Sequence, residues 1–407
     1  MYLKKLIGIF IVMLLIVTVA LPTISACTGF TASDDDTVLV GCNQDIRKVA
    51  YYIRFIPSDG EKYGCMFIES SYPLEVDPEW YTPACGMNDQ GLFFDIFDHP
   101  YLKPTNSSDK PGYYDPEDYY KYSLHGYCLA NCATVEEVVE VFDQYNLGHM
   151  ATTQMLWVDR SGDSLIIEGD DIIYKEGDFQ VVTNFLHSHP ELGSLGNSLE
   201  RYATAVSMLV NMTEMSFEYF RDICNATHQE DDYPTLYSTI CDLNDCKMHL
   251  YYNYDYDNLL EINLNEELAK GEHVVFLPSL FEPEDNNAPI KPDIPYGPNS
   301  GNINEEQTYK VTTTTDPDDN RLWYCFDWGD DTDSGWIPYE PPFTYVSATH
   351  SWTIRGDYEV KVKAMDIYGR ESEWSDPLTV SMPKSINIFN LFLFRLIQRF
   401  PILELLL

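Results

Sequence analysis

The sequence predicts an α+β protein built from antiparallel sheets that carry helices, followed by a small all-β sandwich. Three observations point there. From Thr28 to Phe97 short β-rich runs alternate with turn clusters. Helical spacing then appears at 119–131, 135–145, 198–210 and 216–225, interleaved with further strands. After a stretch rich in Pro, Asn and Asp at 283–298, the pattern returns to strands and turns alone.

In order, Phe30–Ala32 leads through the Ser33–Asp36 turn into a strand at Thr37–Gly41, with Asn43 and Asp45 at its end. A hairpin covers Tyr51–Pro57 and Tyr63–Glu69 around Ser58-Asp59-Gly60. Gly86–Gly91 reads as a turn feeding the strand Leu92–Phe97. Thr134, followed by Glu136 and Glu137, marks a helix start. Gln154–Val158 and Ser164–Glu168 form a hairpin, and Val181–Phe185 follows as a strand. Strands at Leu236–Asp242, Met248–Tyr254 and Leu259–Asn263 close a first domain, 27–282. Beyond the 283–298 linker, alternation at Thr308–Thr314, Leu322–Phe326 and Tyr358–Ala364 predicts a sandwich over 299–383. The apolar tail 384–407 is interrupted by Arg395, Arg399, Pro401 and Glu404, which fits an interfacial anchor better than a membrane span.

The balance of 65 acidic against 25 basic residues gives a net charge of -40, which argues against a nucleic-acid partner. Residues 1–26 read as a signal peptide: Lys4 and Lys5, an apolar run from Leu6 to Leu21, then Pro22, Ser25 and Ala26. The expected location is secreted or cell-surface. Export permits disulfides. With Cys27 set aside, nine of the 10 cysteines remain, an odd number that leaves at least one more thiol. Asn106, Asn211 and Asn225 stand in glycosylation sequons.

Cleavage after Ala26 would give Cys27 a thiol and a new α-amine on one residue. An α-amine has a pKa near ~8, so at neutral pH it can take the thiol proton. Two fates are open to Cys27, because Ile24-Ser25-Ala26-Cys27 also fits a lipobox, and lipidation would consume the thiol.

Five stretches in order carry a family resemblance: Cys27-Thr28-Gly29, Gly41-Cys42-Asn43-Gln44-Asp45, Gly86–Leu92, Val182-Thr183-Asn184 and Ser198–Tyr202. Region 27–280 resembles the choloylglycine hydrolase and penicillin V acylase family of N-terminal-nucleophile (Ntn) hydrolases, enzymes of linear amide C–N bonds. The resemblance implies an αββα sandwich of antiparallel sheets. It also implies Cys27 as nucleophile, Asp45 holding it in register, Asn184 in the oxyanion hole and Arg201 as the fixing charge. Asp98 and Asn88 would face substrate, and neither metal nor cofactor is needed. Cys42 stands where the family usually has Arg, and Asp98 where it has Asn or Tyr, which separates this chain from bile-salt and penicillin V substrates. Phe326–Asp330 with Gly356-Asp357-Tyr358 resembles a PKD-type immunoglobulin-like domain.

The expected function is a secreted cysteine amidase acting on small acyl amides through a thioester. The alternatives are a lipoprotein lipidated at Cys27 with a ligand-binding role, and an adhesin whose function sits in the PKD-like module. His187 and His189 suggest a metal or base, against a solvated loop as the plainer reading. The Asp316–Asp333 cluster suggests Ca²⁺, against ordinary Asp-rich turns.

Overall fold

A computed structural model describes residues 27–34, 36–46, 51–70, 82–103, 110–113, 123–230, 234–283, 285–338 and 344–382. The expected signal peptide, the apolar tail, the Asn106 sequon and residues 119–122 of the first expected helix lie outside them. The protein is mostly β, and it divides into two compact units between Phe281 and Glu282.

The first unit holds two antiparallel sheets. Its strands are β1 (Thr28–Ser33), β2 (Val38–Asp45), β3 (Tyr51–Ile56), β4 (Cys65–Ser70), β5 (Thr82–Asn88), β6 (Phe93–Asp98) and β7 (Thr153–Val158). They continue with β8 (Ser164–Glu168), β9 (Asp171–Tyr174), β10 (Phe179–Thr183), β11 (Thr235–Asp242), β12 (Lys247–Tyr252), β13 (Leu260–Asn263) and β14 (His273–Phe276). One sheet runs β10-β1-β2-β11-β12-β13 and the other β14-β3-β4-β5-β6-β7-β8-β9. The helices are α1 (Leu124–Asn131), α2 (Val135–Phe142), α3 (Ser198–Val210), α4 (Phe217–Thr227) and the short α5 (Leu264–Leu268).

Each sheet buries helices against one face. Phe30, Leu39, Val181 and Ile240 of the first sheet pack with Ala205 and Leu209 of α3 and Phe220 and Ile223 of α4. Phe67, Phe94, Trp157 and Ile167 of the second pack with Leu124, Leu129, Val138 and Phe142 of α1 and α2. Thr134 and Glu137 form a reciprocal capping box at the start of α2, as their spacing predicts. Side chains also cross from one sheet to the other. Gln44 donates to Asp95, Gln154 Nε2 donates to the Thr183 carbonyl at 2.7 Å, and the Tyr51 and Tyr237 rings lie 5.5 Å apart.

β2 is buried along its whole length and runs past the expected end at Gly41, so Asn43 lies within the strand and Asp45 is its last residue. The period of two then decides their roles. Asn43 donates to the Cys224 carbonyl of α4 at 2.8 Å, whereas Gln44 turns to β6. Gly86 is likewise a strand residue of β5, although its sequence context reads as a turn. A Cβ there would fall 2.7 Å from the Met66 carbonyl and 2.8 Å from Leu129 of α1, so glycine is required by close packing and not by a turn. β9, β14 and α5 carry too few residues to show a period in the sequence. All 10 cysteines are buried thiols, including the neighbours Cys128 and Cys132.

In the second unit, β15 (Gln307–Thr312) pairs with β18 (Tyr345–His350). A four-stranded sheet runs β17 (Ile337–Pro338), β16 (Trp323–Asp327), β19 (Gly356–Met365), β20 (Leu378–Met382). Tyr309, Tyr324, Trp328, Trp352, Val362 and Val380 form its core. Tyr296, within the expected linker, already bridges to Lys310.

Candidate active site

Arg201 is the residue that gathers the site. The first turn of α3 carries it under β1, where it is 3 % exposed. Its Nη1 donates to the Cys27 carbonyl at 2.7 Å and to the Thr28 hydroxyl, and lies 3.4 Å from Asp45 Oδ2. Its Nη2 donates to Asn184 Oδ1 at 3.0 Å, and its Nε to Asn197 Oδ1 at 2.9 Å, which fixes the guanidinium plane. The fork thus joins Cys27, Asp45 and Asn184, residues far apart in the chain. Burial pulls the Arg201 pKa down, while Asp45 and Cys27 pull it back up.

Asp45, at the end of β2, also accepts from the Thr235 hydroxyl and from Gln229 Nε2 at 2.7 Å. Burial pushes its pKa up to about 7, opposed by Arg201, then by Thr235 and Gln229. Thr235 and Gln229 brace each other, each backbone N–H donating to the other residue at 2.9 Å. Neither stood out in the sequence: Thr235 opens β11 and Gln229 lies just beyond α4, and only the tertiary fold brings the two to Asp45.

Cys27 stands just before β1 and is 1 % exposed. Its Sγ lies 3.2 Å from Gln44 Oε1, and the other end of that amide donates to Asp95. Cys42 is also close enough to that carboxyl to influence its charge, while Asp95 Oδ2 is buried and accepts no hydrogen bond among the described residues. Cys42, in the place where the resembled family usually has Arg, therefore lies on the inter-sheet side, in company with Asp95. Gly29 follows two residues on, and a Cβ there would come within 2.5 Å of Phe97 Cζ. Glycine allows the strand bearing Cys27 to lie that close to β6.

Asn184 directly follows β10, with Nδ2 donating to the Asp98 carbonyl at 2.8 Å. Asp98 thereby joins the site through its backbone. Asn88 does not join it. Its side-chain amide donates to the Leu129 and Cys132 carbonyls at 2.7 and 2.8 Å, and its Oδ1 accepts from the backbone of Gln90 and Leu92. It closes the β5–β6 turn, whereas Asp98 ends β6 at the opposite end, roughly 16 Å away at the rise of a strand.

The His187 ring lies against Phe185 and Tyr202, and burial lowers its pKa. His189 pairs with Asp171 and Glu191 at the surface. In the second unit, Asp316, Asp327, Asp330 and Asp333 accept backbone N–H bonds from residues two further on. Those bonds account for turn-forming aspartates. Among the described residues no group of three or more His, Cys, Asp or Glu side chains is placed to hold a metal ion. No helix among them is long and apolar enough to cross a membrane.

A protein-family model for the PKD domain matches residues 293–376. That segment is a PKD domain. The resemblance carried by Phe326–Asp330 and Gly356-Asp357-Tyr358 falls inside it. Among solved structures, the chain is similar to the PKD domain of an M14-like peptidase from a Thermoplasmatales archaeon. The identity is 39%, over 24% of this chain and 99% of that one, with a TM-score of 0.22. None of the curated proteins matches the chain. The PKD domain contains none of Cys27, Asp45, Asn184 and Arg201, so the candidate site and the family match occupy different units.

Proposed function

We propose that residues 27–281 form a cysteine Ntn-hydrolase of αββα layering that cleaves linear amide C–N bonds of acyl amides. The observation that carries the reading is the Arg201 fork, which ties the Cys27 backbone, the Asp45 carboxylate and the Asn184 side chain into one buried network. A helix pair on each sheet, with polar side chains crossing between the sheets, supports the layering. The buried, inward-facing thiol supports a nucleophile over a lipid anchor, because a lipidated cysteine must reach a membrane surface.

In the reaction, cleavage after Ala26 exposes the α-amine. The amine takes the Cys27 proton, and the thiolate attacks the substrate carbonyl. Asn184 then turns its amide from the Asp98 carbonyl to the oxyanion, worth roughly 3–4 kcal/mol of barrier for one such donor. The tetrahedral intermediate expels the amine, which takes the proton back from the α-ammonium. Water hydrolyses the thioester to the acid and restores the thiol. Asp45 and Arg201 hold the end of the chain in place. Export to the cell exterior or surface, with the PKD domain as a spacer or binding module, completes the reading.

The deciding experiment is mass spectrometry of the native N-terminus, together with assay of the protein and its Cys27→Ala variant on acyl amides varied in chain length and amine. An unmodified Cys27 terminus and loss of turnover in Cys27→Ala are expected. An acylated thioether, retained upstream residues or turnover unchanged by Cys27→Ala would overturn the reading.

A further inference from the structure

The side of Cys27 opposite Arg201 is also built. The alternation of β2 sends Cys42 and Gln44 towards β6, where the fully buried Asp95 waits. Gln44 lies between two groups: Oε1 sits 3.2 Å from Cys27 Sγ, and Nε2 donates to Asp95 Oδ1. The groups that face Asp95 are Cys42 and Gln44 from β2, Cys85 from β5, and Tyr237 and Cys241 from β11. None of these is a cation. A carboxylate so placed has no partner of opposite charge among them, and the Gln44 amide is the link between it and the thiol.

We infer that Asp95 is a positioning residue for Cys27, acting through the side-chain amide of Gln44. The inference rests on the hydrolase reading above. An amide has one donor end and one acceptor end, so what Asp95 does to one end fixes the other. With Asp95 ionised, Nε2 donates to it and Oε1 accepts the Cys27 S–H, which holds the thiol protonated. With Asp95 protonated, its O–H donates to Oε1 and the rotated Nε2 donates to sulfur, which favours the thiolate. Burial pushes the Asp95 pKa up to about 8, against the pull of the Cys42 thiol, of the Ile96 backbone N–H that donates to Oδ1 at 2.7 Å, and of the Gln44 amide, so both states are populated near neutral pH.

The test is an ultraviolet titration of thiolate absorbance, read as the difference between each protein and its counterpart carrying Cys27→Ala. Asp95→Asn keeps the shape of the side chain but cannot ionise. It should lower the Cys27 midpoint by about one pH unit, and the limb of kcat/KM that follows Asp95 should vanish with it. In a Gln44→Met background the same substitution should produce no shift. No shift in Asp95→Asn, or an equal shift in both backgrounds, overturns the inference. If Asp95→Asn does not fold, Gln44→Glu replaces it: a carboxylate beside sulfur should raise the midpoint, and an unmoved midpoint overturns the inference. Absorbance does not depend on turnover. A shift without amidase activity removes the hydrolase reading alone, whereas turnover without a shift removes the coupling alone.

Discussion

The guanidinium of Arg201 lies 3.4 Å from the carboxylate of Asp45, and both side chains are buried. One charge comes from the first turn of a helix and the other from the end of a strand. A buried pair of this kind adds little stability over an apolar replacement of both partners, but removing one partner strands the other. The pair therefore acts as a constraint: where β2 ends, α3 must begin beneath it, with Cys27 held between.

Replacing Arg201 by Gln should destabilise the fold by roughly 3–5 kcal/mol, because Asp45 is left buried without its cation. Urea unfolding measures this directly. Arg201→Lys restores the charge but not the fork that reaches Cys27, Asp45 and Asn184 together. Turnover on a cleaved acyl amide should stay down roughly a hundredfold in Lys as well as Gln. Recovery of turnover by Lys would mean that charge alone matters at this position.

Stability should fall as pH rises through neutrality. The folded pKa of Asp45 is raised to about 7 and that of Asp95 to about 8, both mainly by burial. The folded state then holds a proton that the unfolded chain has released above about pH 4. The contribution is fully present below that pH and is lost as pH climbs through about 7 for Asp45 and about 8 for Asp95. Asp95→Asn should gain on the parent by up to about 1.4 kcal/mol per pH unit within that window, and not below it. Thermal melts across pH check the sign, and a constant difference between the two proteins refutes it.

Gly29→Ala should cost about 1–3 kcal/mol, because the new methyl meets Phe97 Cζ at 2.5 Å and one strand must shift. Relief is available from the other side. Phe97→Leu removes the ring and should recover part of the loss in the double variant. Additive losses in denaturant melts would show that the two positions do not touch.

All 10 cysteines should react with a thiol reagent once the protein is unfolded without reductant, and almost none before. Burial is the reason for the native silence: it raises the thiol pKa of Cys42, Cys85, Cys128 and Cys241 well above the ordinary value, and so suppresses the thiolate that reacts. A count below 10 in denaturant would reveal a disulfide.

Much of this protein was legible in the chain. Sequence pattern located most of β1 to β13 and the helices α2, α3 and α4: the helices because each buries one face, and strands such as β2, β8 and β11, buried along nearly all their length, as short β-rich runs bounded by turns. The turn chemistry of Asp316 to Asp333 and the PKD match at 293–376 are local properties of sequence, and so was the interest of Cys27. The tertiary structure decided what the residues near Cys27 do. Asn88 and Asp98 lie close in sequence, yet Asn88 ends β5 at the turn while β6 carries Asp98 to the far end of the hairpin, and only Asp98 meets Asn184. Gln44 and Asp95 are 51 residues apart, and no spacing rule connects them. Periodicity tells which face of an element is buried. Which two buried faces meet is set by sheet order and packing, and that meeting placed Gln44 and Asp95 beside the Cys27 thiol.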